Sequence, residues 1–373
     1  DVFELDFDLK RILSAIKIEY GKSFQAENTL IIFDEIQEAP KALASLKYFY
    51  ENAPQYAIVA AGSLLGVALH QGTSFPVGKV DFLDLYPLNF REFLCAMGEK
   101  QFVSMLDSCD TQMVTVFKTK YIERLREYYF VGGMPEVVKD FSEKKDYNRV
   151  RAIQKNLINY YQQDFSKHAE IKLVPRLNLV WNSIPMQLAK ENKKYIYGQV
   201  REGSRAKDFE LAIQWLLDCG LIHKVQRIKK PDLPLKAYID FDAFKLFLVD
   251  IGLLIAMTDL DAKVIIEGNK IFTEFKGALT EQYILQQLIS DVGVIPYYYS
   301  TQNSKGEIQG KTSVIPIEVK AEENLKAKSL KAFCEKYQSS YAVRTSMSDY
   351  REQDWMTNIP LYAIKWIENY VNQ

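Results

Sequence analysis

Thr29-Leu30-Ile31-Ile32-Phe33 is an unbroken apolar, β-branched run bounded by polar residues, and it ends in Asp34-Glu35. Such a run predicts a strand buried on both faces of a parallel sheet. A helical stretch from about Pro40 to Glu51 follows, and then Tyr56 to Ala61 forms a second apolar run ending in Gly62-Ser63. Strand, helix, strand predicts a right-handed crossover unit. In such sheets ligands sit outside the carboxyl ends of the strands, so Asp34, Glu35 and Ser63 are expected to share one crevice. An Asp there can hold Mg²⁺, usually through water. The adjacent Glu can activate an attacking water, and a short polar residue on the neighbouring strand can sense a γ-phosphate. The dipeptide alone is equally able to cap the next helix.

A chain of 373 residues exceeds one ordinary core, and roughly 150 residues per domain implies a multidomain protein. Its 48% hydrophobic and 25% charged residues, with 17 Gly and 12 Pro, describe ordered globular protein and exclude extensive disorder. The net charge of −1 supplies no global field toward nucleic acid or an anionic membrane, so any such contact needs a local patch. Cys95, Cys109, Cys219 and Cys334 lack CxxC spacing, and His70, His168 and His223 are dispersed. Neither a disulfide framework nor a zinc site is indicated, and a cytoplasmic location is expected. No apolar run approaches the roughly 20 residues of a membrane span. The opening DVFELDFDLKRIL is acidic and amphipathic, unlike a signal peptide, and reads as the interior of a domain, so upstream residues are expected.

The segments LIIFDEIQEAP, AAGSLLG, SFPVGKVDFLDLYPLNFREFL and YYFVGGMPEVV, in that order and separation, resemble bacterial and archaeal AAA-type ATPases whose C-terminal region joins a winged helix to a restriction-endonuclease-like fold. The resemblance runs over essentially the whole chain. It implies an α/β protein with a parallel-sheet P-loop ATPase core over 1–98, lacking its N-terminal part. A helical lid over 99–165, a winged helix over 166–258 and an α/β nuclease-like domain over 259–373 follow. It also implies ATP and Mg²⁺ as cofactors, with Asp34 as the magnesium-side carboxylate, Glu35 as the water-activating base and Ser63 as the sensor-like residue. The family's GxxxxGK[ST] loop precedes the acidic strand. Here Gly21-Lys22-Ser23 lacks the leading Gly and the preceding strand, and is read as a chance match. Without that loop's N–H nest and lysine, poor ATP binding is expected of this segment. Lys79, in Gly78-Lys79, is either a cation for the phosphates or a solvated lysine.

From about Phe102 to Tyr161 the pattern is helical, with Tyr121, Leu125 and Tyr128 on one face and a break at Gly132-Gly133-Met134-Pro135. The break resembles a GGxP turn of the family, though a plain interhelical turn would read the same. Tyr195 to Val200 and Ala206 to Leu217 read as helices, and Leu221 to Ile228 and Ala237 to Phe241 as strands, which is the order of a winged helix. Arg201, Arg205, Lys207, Lys224, Arg227, Lys229 and Lys230 are candidate contacts to DNA phosphates. Against this, Asp208, Glu210 and Asp218 lie on or beside the candidate recognition helix, and its Phe209, Ile213, Trp215 and Leu216 suit intrachain packing.

Thr273 to Leu288 reads as a helix carrying Glu281, Pro296 to Ser300 as a strand, and Val314 to Val319 as a strand ending in Glu318 and Lys320. Residues two apart on a strand share a side, so Glu318 and Lys320 form the ExK half of a PD-(D/E)xK site. In such sites carboxylates hold a metal that activates water, and the lysine stabilises developing charge. The resemblance adds Glu281 as a further metal carboxylate. It also expects an Asp where this chain has Gln309, within Gly306-Glu307-Ile308-Gln309-Gly310-Lys311. Either a stretch bearing that Asp is missing from the sequence, or the site is dead, because an amide is a poor Mg²⁺ ligand. The expected function is ATP-dependent switching coupled to DNA that the C-terminal region cuts or grips. A regulatory scaffold with an inactive nuclease-derived domain and a structural homo-oligomer module are the alternatives.

Overall fold

The computed structural model describes residues 2–21, 24–62, 78–190, 194–267, 273–301, 304–309, 314–321, 328–339 and 341–371. They divide into two compact units, one of residues 1–85 with 214–221, the other of 86–213 with 222–373. The first unit opens with α1 (Leu9–Tyr20), capped by the Asp8 carboxylate, which accepts from the Lys10 amide, and closed by Gly21 at φ 64°. Gly21 therefore ends a helix, where a phosphate loop would precede one, and the chance reading of Gly21-Lys22-Ser23 is physically consistent.

Strands β1 (Leu30–Phe33) and β2 (Ala57–Ala60) pair in parallel, Leu30 opposite Ala57 and Phe33 opposite Ala60, with α2 (Pro40–Asn52) between them in sequence. Pro40 starts α2 where its missing N–H costs nothing. Leu9 and Ile12 of α1, and Leu43, Leu46 and Phe49 of α2, pack on the sheet face of Phe33 and Ile58. The expected burial on both faces does not hold among the described residues, since Leu30, Ile32 and Val59 on the other face are 54%, 61% and 48% exposed. Both helices lie on one side, and an all-apolar run carries no periodicity that reports how many of its faces are covered.

In the second unit α3 (Phe90–Ala96) begins with a reciprocal Asn89/Glu92 capping box. It is followed by α4 (Lys100–Asp107), α5 (Thr111–Val116), α6 (Lys118–Val131), α7 (Pro135–Lys144), α8 (Tyr147–His168) and α9 (Val174–Leu188). Tyr121, Leu125 and Tyr128, spaced for one face of α6, are fully buried. The Gly132-Gly133 break is more than a turn. Gly132 has φ 75°, and a Cβ on it would lie under 3.0 Å from the Asp250 carboxylate. A Cβ on Gly133 would strike the Leu88 backbone. The Gly133 amide donates to Asp250 Oδ2 at 2.6 Å, and the Leu88 amide donates to the Gly133 carbonyl at 2.8 Å.

Helices α10 (Tyr197–Val200) and α11 (Ala206–Asp218) lead to β3 (Ile222–Ile228) and β4 (Ile239–Leu248), the order expected of a helix pair and a ribbon. The chain continues through α12 (Ile251–Met257), α13 (Ala262–Ile266), α14 (Thr273–Gln287), β5 (Tyr297–Thr301), β6 (Ser304–Gln309), β7 (Ile315–Val319), α15 (Lys328–Tyr337), β8 (Ala342–Ser346), β9 (Arg351–Gln353), β10 (Met356–Pro360) and α16 (Glu368–Val371). All eight strands form one mixed sheet in the order β4-β3-β5-β6-β7-β8-β10-β9. The ribbon read as part of a winged helix is joined to the C-terminal sheet, through the parallel β3–β5 contact at Arg227 and Tyr298. An unpaired ribbon edge leaves backbone donors and acceptors open, and β5 covers one such edge.

Helix α14 ties this sheet to the helices through buried amides. Gln282 bonds both backbone groups of Leu248, Gln286 accepts from the Ile251 amide and donates to Asp250, and Gln287 accepts from the Phe90 amide. Asp250 is fully buried and burial pushes its carboxyl up, against hydrogen bonds from Gly133 and Leu253 that favour the charged form.

His223 of β3 is partly buried, and burial pushes its imidazole down to about 4. Its folded value lies below its unfolded one, so its contribution is complete above about pH 6.5 and is lost as pH falls toward 4, at no more than roughly 1.4 kcal/mol per unit. Asp250 and Asp291, both raised by burial, act with the opposite sign. Chemical denaturation of wild type against His223→Gln isolates the histidine, and the wild type is expected to lose ground to the variant from pH 6.5 downward.

Candidate functional site

The Asp34-Glu35 pair sits at the carboxyl end of β1, where the parallel ladder is extended by the Ala61 amide donating to the Phe33 carbonyl at 2.8 Å. Both side chains are exposed. Asp34 Oδ1 accepts from the Glu35 amide at 3.1 Å, which fixes one oxygen and leaves Oδ2 pointing elsewhere. Glu35 has φ 48°, a left-handed conformation that is uncommon for a residue with a Cβ, and its carboxylate is oriented by a hydrogen bond from Gln37 Nε2. A strained backbone, an oriented Glu and an Asp beside it are the groups that can place a metal-bound water against a phosphate. The donor set fits Mg²⁺ held through water, with Asp34 as the protein carboxylate. Ser63, expected beside them, lies outside the described residues.

Lys79 is not with them. Its Nζ lies 3.6 Å from Glu51 Oε1 and 4.8 Å from the centre of the Tyr50 ring. A crossover helix leaves the carboxyl side of one strand and returns to the amino side of the next. The last turn of α2 is therefore at the opposite end of the strands from Asp34. The phosphate-cation expectation for Lys79 is corrected on that ground.

Of the seven cations proposed for DNA, three are engaged locally. Arg227 forms a two-pronged ion pair with Asp240, Lys230 pairs with Asp232 at 2.6 Å, and Lys224 lies 4.3 Å over the Phe244 ring. Arg201, Arg205, Lys207 and Lys229 are exposed. Phe209, Ile213, Trp215 and Leu216 of α11 are buried, so the apolar face of that helix serves packing.

The predicted nuclease residues do not converge. Cross-strand partners share a face, and the register runs from Tyr298 to Glu307, Ile317, Val343 and Thr357 on one side of the sheet. Glu318, Arg344 and Asn358 have the opposite parity. Glu281 accepts from Lys245 Nζ at 3.1 Å, and Lys245 lies 4.9 Å over the Tyr298 ring, so α14 brings Glu281 to the Tyr298 side. Glu318 is 5% exposed on the other side. Its Oε1 is 3.2 Å from Lys320 Nζ, and its buried Oε2 has no hydrogen-bond partner among the described residues. That oxygen alone suits a ligand, but two carboxylates on opposite faces cannot share one metal. Among the described residues no group of three His, Cys, Asp or Glu side chains could hold a metal ion. The metal roles expected of Glu281 and Glu318 are therefore corrected. Position 309 pairs with Ile315, again of opposite parity to Glu318, and its side chain lies outside the described residues.

Sequence reasoning missed the Asp250 lock and the buried strand cluster around Arg344. An Asp before Ile-Gly and an Arg within the Ala-Val-Arg-Thr-Ser strand were the available signals. Among the described residues no helix is long and apolar enough to cross a membrane.

Residues 1–94 match the family model described as an AAA domain. Residues 122–264 and 276–364 match two families, each described as a domain of unknown function, DUF8612 and DUF4143. No curated protein matches. Among solved structures, the Walker-type ATPase PABY2304 of Pyrococcus abyssi is similar over 68% of this chain and 67% of that chain, at 14% identity and a TM-score of 0.41. The chain is α/β by its own elements, and the similarity of its N-terminal segment is to AAA domains.

Proposed function

We propose that this protein binds and hydrolyses ATP, and that its nucleotide state is coupled to a nuclease-derived C-terminal region that grips nucleic acid without cutting it. The AAA-domain match over 1–94 carries the first half, together with Asp34-Glu35 at the carboxyl end of a parallel strand. Mg²⁺, when bound, would neutralise phosphate charge. Asp34 would hold it through water, Glu35 would take the proton of the attacking water, and Ser63, which follows β2 in sequence, is the proposed sensor. The proposal keeps the division into core, helical lid, winged-helix segment and nuclease-like domain, a cytoplasmic setting and self-association.

The placement of Glu281 and Glu318 on opposite sheet faces favours gripping over cutting, and also supports the second reading, a regulatory scaffold. Incubation of full-length protein with labelled duplex and single-stranded DNA, in Mg²⁺ and in Mn²⁺, is expected to leave the DNA intact. Cleavage that is abolished by Lys320→Ala would restore the nuclease assignment and remove this half of the proposal. The ATPase half is tested separately by the Glu35→Gln comparison below.

A further inference from the structure

Strand β4 is an end strand of the eight-stranded sheet, and it carries Phe241 out into solvent, 79% exposed. An isolated exposed apolar residue needs no explanation of its own, but this one is held out by a built feature. The β3–β4 register runs from Ile222 opposite Leu248 to Gln226 opposite Phe244, and then resumes with Arg227 opposite Asp240. Residues 241–243 are left out of the ladder and form a bulge, the device by which an edge strand re-aims a side chain. Asp240, 4% exposed, fixes that bulge. Its Oδ2 accepts from the Arg227 guanidinium, with Nε at 2.8 Å, and its Oδ1 accepts from the Asp242 amide at 3.1 Å. Ala243 is fully buried, while Phe241 and Asp242 are exposed.

The loop that joins the two strands is basic. Residues 229–238 carry Lys229, Lys230 and Lys236, all exposed, and one acid, Asp232, which pairs with Lys230 at 2.6 Å. The loop follows directly on the pairs Arg227–Asp240 and Ile228–Ile239, and the Lys229 amide donates to the Tyr238 carbonyl at 2.8 Å, so these lysines lie at the same end of the ribbon as Phe241. Leu235 anchors the loop in a cluster with Ile228, Leu330 and Phe333. A fixed aromatic ring beside exposed lysines suits an unpaired base, because the ring stacks on a base of any sequence and the cations take the backbone phosphates. A paired base is already stacked on both faces, so the ring selects a single strand. We propose that Phe241 stacks on an unpaired base of a nucleic-acid strand, with Lys229 and Lys236 on the flanking phosphates. The inference rests on the gripping half of the proposed function and adds the strandedness of the partner and the residue that reads it.

The test is fluorescence anisotropy of a labelled oligothymidine with full-length protein over a range of salt. Wild type is compared with Phe241→Ala, Phe241→Trp, Lys229→Gln and Lys236→Gln. Ile171→Ala, which removes another exposed apolar side chain, is the control, and circular dichroism checks that each variant is folded. Phe241→Ala is expected to weaken binding about tenfold at an unchanged salt slope, and Phe241→Trp to keep the wild-type affinity. Each lysine variant is expected to lower the slope by about 0.7, the share of one phosphate on a single strand, and the control to change neither quantity. Oligothymidine binding undiminished in Phe241→Ala would overturn this inference and leave the gripping reading standing, whereas no binding by wild type would remove both. Undiminished binding with altered sedimentation of Phe241→Ala would make the ring a contact between copies of this chain instead.

Discussion

Gly133→Ala is expected to lower the denaturation midpoint of the full chain sharply, with a loss on the order of 3 kcal/mol or more. A Cβ at this position meets the carbonyl and amide of Leu88, which are backbone and cannot swing aside. Moving them would also break the Leu88-to-Gly133 hydrogen bond and the Gly133-to-Asp250 hydrogen bond, and so strand a buried carboxylate. Total stability of a domain is only about 5–15 kcal/mol, so such a loss is a large fraction of it. Gly198→Ala, where an added Cβ meets nothing within 4 Å, is the matched control and should stay within about 0.5 kcal/mol of wild type. Equal midpoints for the two variants would mean that the glycine pair is an ordinary turn after all.

Glu35→Gln is expected to reduce ATP turnover by full-length protein by about 10²-fold or more, with nucleotide binding retained. The substitution keeps the side-chain length and the left-handed backbone and removes only the ability to take a proton, so a turnover loss without a binding loss isolates that role. Lys79→Ala is predicted to leave turnover unchanged, because Lys79 lies with Glu51 at the far end of α2. ADP release measured for the three proteins side by side decides both points. Turnover by Glu35→Gln within about threefold of wild type would remove Glu35 from the chemistry, and a loss in Lys79→Ala would restore it to the phosphates.

Local pattern made the first unit largely readable. Apolar runs bounded by polar residues placed β1 and β2 within a residue or two, and in the second unit the spacing of Tyr121, Leu125 and Tyr128 identified the buried face of α6. What stayed hidden depends on contacts distant in sequence. Strand β6, Ser304–Gln309, is Gly and polar residues apart from Ile308 and has no alternation that marks a strand. Its pairing comes from β5 and β7. Gln282, Gln286 and Gln287 are polar side chains on a helix, yet they are buried because each meets a backbone group of another segment. The strand that carries Glu318, with Lys320 just past its end, was legible from its apolar run. The expected partner of Glu318, Glu281, was misassigned, because which face a helix covers is a property of the sheet and not of the helix sequence. The Asp34-Glu35 site was legible as a location, while the positive φ of Glu35 could be seen only in the structure.

The central claim, that the N-terminal segment serves an ATP site organised by Asp34 and Glu35, is tested most directly by equilibrium binding of a fluorescent ATP analogue to full-length protein, with and without Mg²⁺. Saturable binding that tightens with Mg²⁺, and loses that Mg²⁺ dependence in Asp34→Ala, is the predicted result. Absence of binding, or an Mg²⁺ dependence that survives in Asp34→Ala, would contradict it.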